Sequence, residues 1–479
     1  MANSVRVNAG PTKAFFVSML TRDIDLADAI LDLLDNCVDG IVRSLHHKGF
    51  NREGDGNGKP YEGFWAKIIA KPDHFEIWDN CGGITQKIAE ESAFMLGRPD
   101  LQRDADVETV GMYGIGMKRA VFKMGEHCIV TSQPESGQYK VEITPEWLEE
   151  DENWNLELTK TPKTQAFKEN GTKIVVKNLY DGIRRQFQKN SAFIEDLGKE
   201  IARHYALLIE KGFQVSLNGI LVKPVKLSVL SQKIVGKSKK PKIEPYVFVG
   251  EFDDVEVELA VGFYRPLIKE QELEESLLRS TRDHAGWTVI CNERVVLYND
   301  KSPKTGWGTR GVPSFHNQFI SIAGVVSFKS KNSMKLPLNT TKRGLDTSSD
   351  VYHIVLDFMQ TGLKKFTSFT NDWKRLEDQT KDDFDTLISS KPINPRKLVD
   401  QTKLKTIRRY KDKGSGQVYS PSLPKPPKKE HSSRVCFVAD KTDIELVAQY
   451  YFGDTSTERS VVGRRAFVES LERAKGTGG

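Results

Sequence analysis

The stretch from Ile24 to Gly40, Ile-Asp-Leu-Ala-Asp-Ala-Ile-Leu-Asp-Leu-Leu-Asp-Asn-Cys-Val-Asp-Gly, restricts the fold of this chain more than any other. At about 100° per residue, Leu26, Ile30, Leu33, Leu34, Cys37, Val38 and Ile41 share one broad apolar face. Asp32, Asp35, Asn36 and Asp39 fall on a narrow stripe opposite, where spacings of three and four make them neighbours. The pattern predicts an amphipathic helix ending near Gly40, with apolar spacing continuing to Leu45. Three carboxylates on one stripe repel each other unless something positive sits there. A divalent cation that keeps its waters is one candidate, and a solvated acidic face is the other reading.

Two glycine-bearing turns follow. Strand-like runs at 64–70 and 74–78 lead into Asp79-Asn-Cys-Gly-Gly-Ile84. An aspartate and glycines after a strand read first as a turn. They also suit a carboxylate that accepts from a base amine at a pocket floor, with glycines admitting a close backbone approach. The polar segment 85–110 reads as a long connection of the kind that forms lids. It ends in Gly111-Met-Tyr-Gly-Ile-Gly-Met-Lys118, followed by a helix over 117–124. This glycine run satisfies neither familiar phosphate loop: Met117 separates Lys118 from Gly116, and Arg119 stands where a dinucleotide fingerprint needs Gly or Ala. Glycine-permitted amides, a helix amino terminus and a lysine nevertheless make an anion cradle, with a flexible hinge as the other reading.

A chain of 479 residues is too long for one core and suggests about three domains. No apolar run approaches the roughly 18 residues that span a bilayer, and the amino terminus lacks the apolar core of a signal peptide. The five scattered cysteines have neither metal-ligand nor redox spacing, so a reduced cytoplasmic protein is expected. The net charge of +6 is concentrated: residues 401–430 hold nine Lys or Arg against Asp412 and Glu430, leaving the rest of the chain near neutral.

Residues 11–21 read as a short amphipathic strap, 49–63 as an exposed loop, and 128–132, 139–143 and 171–177 as strands. A helix is expected over 190–211, a hairpin at 213–222 around Asn218-Gly219, and an exposed lysine-rich loop at 231–245. Further strands are expected at 247–251, 255–264, 287–298 and 319–328, then a long helix over 350–368 capped by Ser348 or Ser349. Residues 391–432, with six prolines, read as a linker. The tail reads as a strand at 434–439 and helices at 441–452 and 461–474.

In order and spacing, these pieces resemble the GHKL ATPase superfamily, which includes type II topoisomerases, MutL proteins, large heat-shock chaperones, sensor histidine kinases and microrchidia ATPases. Asp32 to Asn36, Asp79 to Gly83, Gly111 to Lys118 and Gly171-Thr172 match its four motifs, and the details are most similar to stand-alone bacterial members near the microrchidia type. The resemblance implies an α/β chain: a Bergerat-fold α/β sandwich at 1–180, an α/β transducer domain at 181–375, a basic linker at 376–432 and a small α/β module at 433–479. It implies ATP and Mg2+ as cofactors, with Asn36 on the metal and Asp79, supported by Thr172, reading the adenine amine. Gly83, Gly111, Gly114, Gly116 and Lys118 complete the nucleotide site beneath a lid of residues 85–116. Asp32 stands where the family carries its catalytic glutamate, one methylene shorter, so slow turnover is expected, and Cys81 replaces the first glycine of the second motif. In the second half, Cys291-Asn-Glu-Arg-Val-Val resembles the Asn-Gly-Arg strand of transducer domains. Leu336-Pro-Leu-Asn-Thr-Thr-Lys342 resembles the loop that sends a lysine to the terminal phosphate.

The function these features imply is an ATP-hydrolysing switch with lid closure and an ATP-dependent homodimer. The alternatives are an ATP-binding module without turnover and a kinase of the histidine-kinase type. The 401–430 segment is a candidate contact for DNA, and 433–479 for a protein partner; no membrane association is expected.

Overall fold

The computed structural model of the chain describes residues 12–47, 58–95, 108–109, 111, 114–151, 153–163, 167–227, 229–231, 243–265, 284–339, 342–374, 391–393, 405–410, 414–425 and 435–476. The expected loops at 49–63 and 231–245, and the expected lid, fall partly outside these residues. The chain divides into two units, Met1–Lys425 and Pro426–Gly479.

The first unit begins with helices α1 (Lys13–Arg22) and α2 (Leu26–His47). The strap is thus a helix, capped by Thr12, whose hydroxyl accepts from the Phe15 amide. Helix α2 runs through Gly40 because that glycine serves packing: a Cβ there would lie 2.6 Å from the Cys81 carbonyl oxygen. The apolar face anticipated from the sequence, from Ile30 to Ile41, is buried.

Strands β1 (Trp65–Lys71), β2 (His74–Asp79), β3 (Gly125–Gln133), β4 (Gln138–Ile143), β5 (Leu158–Thr161), β6 (Gly171–Leu179), β7 (Gln214–Leu217) and β8 (Ile220–Leu221) form one sheet. Their order is β5-β4-β3-β6-β2-β1-β7-β8. All pairs are antiparallel except β1 and β7, which run parallel. Helix α3 (Gln86–Ile88) leads into a π-turn at Ala89–Ala93, and α4 (Gly116–Met124) packs against α2. Around them lie α5 (Pro145–Glu149), α6 (Asp181–Gln186), α7 (Ala192–His204) and α8 (Ala206–Glu210). One core joins α2, α4 and the sheet to Leu197, Ile201, Phe213 and Val215. The boundary expected at 180/181 is therefore corrected, since the sheet and its core continue to about residue 221. The 213–222 hairpin forms as expected but docks on β1, beside the first domain rather than within the second.

The second sheet contains β10 (Tyr246–Phe252), β11 (Val255–Phe263), β12 (Gly286–Cys291), β13 (Arg294–Asp300), β14 (Ile322–Lys329), β16 (Lys405–Tyr410) and β17 (Gly414–Tyr419), ordered β13-β12-β14-β11-β10-β17-β16. Strands β9 (Val229–Ser231) and β15 (Lys391–Ile393) form a separate pair. Helix α9 (Asp350–Lys374), whose Tyr352 amide donates to Ser349 Oγ, covers the sheet with Val355, Met359, Leu363 and Phe366. The expected strand at 287–298 is a hairpin turning at Asn292-Glu293, both at positive φ. The expected linker is also corrected: 405–410 and 414–419 form a hairpin whose inner strand pairs with β10. Its glycine marks contact rather than slack, because a Cβ at Gly416 would lie 2.6 Å from the Phe248 ring.

The second unit holds α10 (Lys441–Phe452) and α11 (Arg459–Gly476). The strand expected at 434–439 is not formed, since residues 435–440 have no ladder partner among the described residues. The five cysteines are unbridged. No helix among the described residues is long and apolar enough to cross a membrane.

Candidate functional site

Helix α2, the turn after β2, the start of β6 and the first turn of α4 surround one cavity. Asp32, Asn36, Asp79, Gly83, Gly111, Gly114, Gly116, Lys118 and Thr172 all line it, and Lys342 reaches it from the loop after β14.

Asp79 sits at the end of β2, where the chain must turn out of the sheet. Its Oδ1 accepts from the Cys81 amide at 2.7 Å, and its Oδ2 lies 3.6 Å from the Cys37 thiol. Gly83 has a φ of +74°, and a Cβ there would lie 2.9 Å from the backbone of Gln133. Gly171 packs still closer: its missing Cβ would overlap the Asp79 carbonyl at 1.9 Å. Burial raises the Asp79 carboxyl to about 6, opposed by the Cys81 amide, the Cys37 thiol and the Thr172 amide. The Thr172 hydroxyl lies 3.4 Å from that of Ser132. This wall sets Asp79 among glycine backbone, a thiol and hydroxyls, and it can offer a buried acceptor to a flat polar ligand.

The opposite wall is dense in charge. Asp32, Asp35 and Asp39 are all buried, whereas Asn36 is exposed. The solvated-face reading of the stripe therefore fails, and the positive charge it demands comes from side chains. Arg119 pairs with Asp32 Oδ2. Lys342 Nζ lies 3.3 Å from Asp32 Oδ1 and 3.0 Å from Asp35 Oδ2. Arg294 Nε donates to Asp35 Oδ1 at 2.6 Å, and the Tyr205 hydroxyl donates to the same oxygen at 2.7 Å. Burial opposes ionisation of Asp35, but Arg294 and Lys342, helped by Tyr205, hold its carboxyl down at about 2. Conversely, burial works against the Lys342 ammonium, and Asp35 and Asp32 more than offset it, so its pKa is raised.

Gly111, Gly114 and Gly116 close the third side. The Gly111 amide donates to Asp39 Oδ2 at 2.8 Å. Gly116, the first residue of α4, lies against Asp32, its missing Cβ 3.4 Å from the carboxylate. Lys118 is buried, and its Nζ donates to the carbonyls of Ala93, at 2.9 Å, and Gly114. The amides that begin α4, together with this ammonium, can hold an anion.

All ten residues singled out from the sequence thus share one cavity. The sequence reading did not single out Arg119, Tyr205 or Arg294 as site residues. For Arg294 the segment Cys291 to Val296 was a signal of place, but nothing in it named Asp35 as the partner.

Residues 24–173 match the family model described as histidine kinase-, DNA gyrase B-, and HSP90-like ATPase. The match covers every lining residue named above except Lys342. No curated protein matches the chain.

Proposed function

We propose that the chain is an ATP-hydrolysing conformational switch, a reading supported by the match of residues 24–173 to the family model described as histidine kinase-, DNA gyrase B-, and HSP90-like ATPase. The observation that carries this reading is the entry of Lys342, from the second sheet, into a cavity otherwise built by the ATP-binding domain. In this reading Asp79 accepts the adenine amine, Thr172 supports it, and Gly83 lets the backbone approach the base. Gly111, Gly114, Gly116 and Lys118 hold the phosphates. Lys342 neutralises charge developing on the terminal phosphate, and Asp32 orients the attacking water with a carboxylate one methylene short, giving slow turnover.

Among the described residues no cluster of three His, Cys, Asp or Glu side chains is fit to hold a metal. Exposed Asn36 on the cavity wall fits Mg2+ instead, an ion that keeps waters and takes one or two protein oxygens beside phosphate. When bound, it would screen the phosphate charge.

ATP shifts such a switch only by binding its closed form better than its open one. Closure is proposed to favour a homodimer, which analytical centrifugation with a non-hydrolysable ATP analogue would detect. DNA contact through 401–430 and a protein partner at 433–479 belong to the same proposal. The former fails if Glu at positions 405, 408 and 409 leaves DNA affinity unchanged. The deciding experiment is phosphate release by wild type and Asp32→Asn. Turnover lost in the variant carries the switch, whereas no turnover by either, with ATP bound, favours a binding module. Transfer of the phosphoryl group to a histidine would favour the kinase type.

A further inference from the structure

Arg294 is 1 % exposed and bonds both to the helix that carries Asp35 and to the backbone of the lysine loop. Its Nε donates to Asp35 on α2 at 2.6 Å, while its Nη1 donates to the backbone oxygen of Lys342 at 2.7 Å. Lys342 itself adopts a left-handed φ of +55°, with its amide bonded to the Asn339 oxygen at 3.0 Å. Such a conformation is disfavoured for a side-chain-bearing residue and persists only when its surroundings hold it. The Arg294 guanidinium is one of those surroundings.

The charge arrangement gives this contact a direction. Asp32 has Arg119 as its own partner, and Asp35 has Arg294. Lys342 is the third cation, shared between two carboxylates that each retain an arginine when it leaves. Moving its ammonium a short way to a phosphate therefore strands no buried carboxylate, a condition that would otherwise oppose the movement strongly. Meanwhile its backbone stays fixed by Arg294.

The turn that presents Arg294 is anchored without it. Asn292 Nδ2 donates to the carbonyls of Thr109, at 3.0 Å, and Ser330, at 2.9 Å. Glu293 accepts from the Tyr61 hydroxyl and from Lys211, both at 2.6 Å. A change confined to the guanidinium thus leaves the docking of the turn in place.

We infer that Arg294 is a positioning residue for Lys342: it fixes the lysine's backbone at the cavity while its ammonium exchanges between Asp32, Asp35 and the terminal phosphate. The inference rests on the nucleotide reading of the cavity. It makes the second sheet a reader of the third phosphate, so ATP and ADP are told apart through a residue that touches neither.

Arg294→Lys is the discriminating variant, since it keeps the positive charge for Asp35 but loses the planar fork that spans two acceptors. In the nucleotide-free full-length chain, hydrogen exchange over 336–345 should quicken about tenfold while that over 26–47 stays at the wild-type rate. With nucleotide, R294K should hold Mg·ADP within about twofold of wild type but lose the preference for a non-hydrolysable ATP analogue. Lys342→Met should lose it equally, and the double variant should be no worse than either single one. Unchanged exchange over 336–345, or equal weakening of both nucleotides, overturns the inference. A wild type that binds neither nucleotide overturns the proposed function instead, and the exchange measurement still decides the role of Arg294. Arg294→Gln is made alongside, and whichever variant keeps the wild-type melting transition serves.

Discussion

Asp79 and Asp35 are both buried carboxylates at this site, yet their surroundings drive them in opposite directions. Asp79 meets two backbone amides and a thiol, and burial lifts its carboxyl to about 6. Asp35 is more deeply buried, but Arg294 and Lys342 hold it down at about 2. The difference separates two tasks. A carboxylate poised near neutrality suits a ligand group that is polar but uncharged. One held between two cations stays charged at all ordinary pH values and ties the two sheets together.

The sharpest way to break this contrast is to neutralise each carboxylate in turn. Asp35→Asn leaves the Arg294 guanidinium buried without its paired carboxylate and leaves the Lys342 ammonium to Asp32 alone, which should cost about 3–5 kcal/mol. Asp79→Asn swaps a poorly solvated carboxylate for a neutral amide of the same shape and should cost less than about 1 kcal/mol. Urea denaturation measures both, and equal losses would erase the distinction. Next in size is Lys342→Met, expected to lower phosphate release about 10²-fold with ADP affinity nearly unchanged. A parallel fall in ADP affinity would make Lys342 a structural member of the Asp35 tie and nothing more. Asp79→Asn should weaken adenine nucleotides about 10- to 100-fold, the worth of a hydrogen bond to a charged acceptor.

The same contrast explains what was legible in the sequence. The Asp79 wall is assembled from strand ends and glycines, whose local spacing carries their meaning: Gly83 and Gly171 are required by backbone approaches within one sheet. Helical periodicity also placed Asp35 on a stripe that demanded positive charge. It could not say that the charge comes from Arg294, 259 positions later, because pairing across domains leaves no periodic trace. The domain boundary failed for a related reason. An Asn-Gly turn predicts a hairpin wherever it occurs, and only the parallel register of β7 with β1 assigns that hairpin to the first sheet. Likewise, glycine and lysine content concealed β16 and β17. Residues 435–439, by contrast, pair with no strand among the described residues, since strand propensity takes effect only against a neighbour.

The smallest effect is also the most specific, because it is a change with pH rather than a loss. Asp79 ordinarily titrates at 3.8 and here near 6, so folding favours its protonated form. Its contribution to stability is fully present below 3.8 and is lost as pH rises through about 6. Asp35, with its pKa lowered, contributes above 3.8, and that contribution is lost as pH falls toward 2. In the proposed reading the ionised Asp79 carboxylate is the acceptor for an adenine amine, so nucleotide affinity should be level above about pH 7 and fall toward tenfold per unit well below 6. Asp79→Asn should flatten that profile while keeping the acid unfolding that follows Asp35. A wild-type affinity that stays level from pH 8 to 5 would mean that the ligand does not bind through this carboxylate, whatever else the cavity holds.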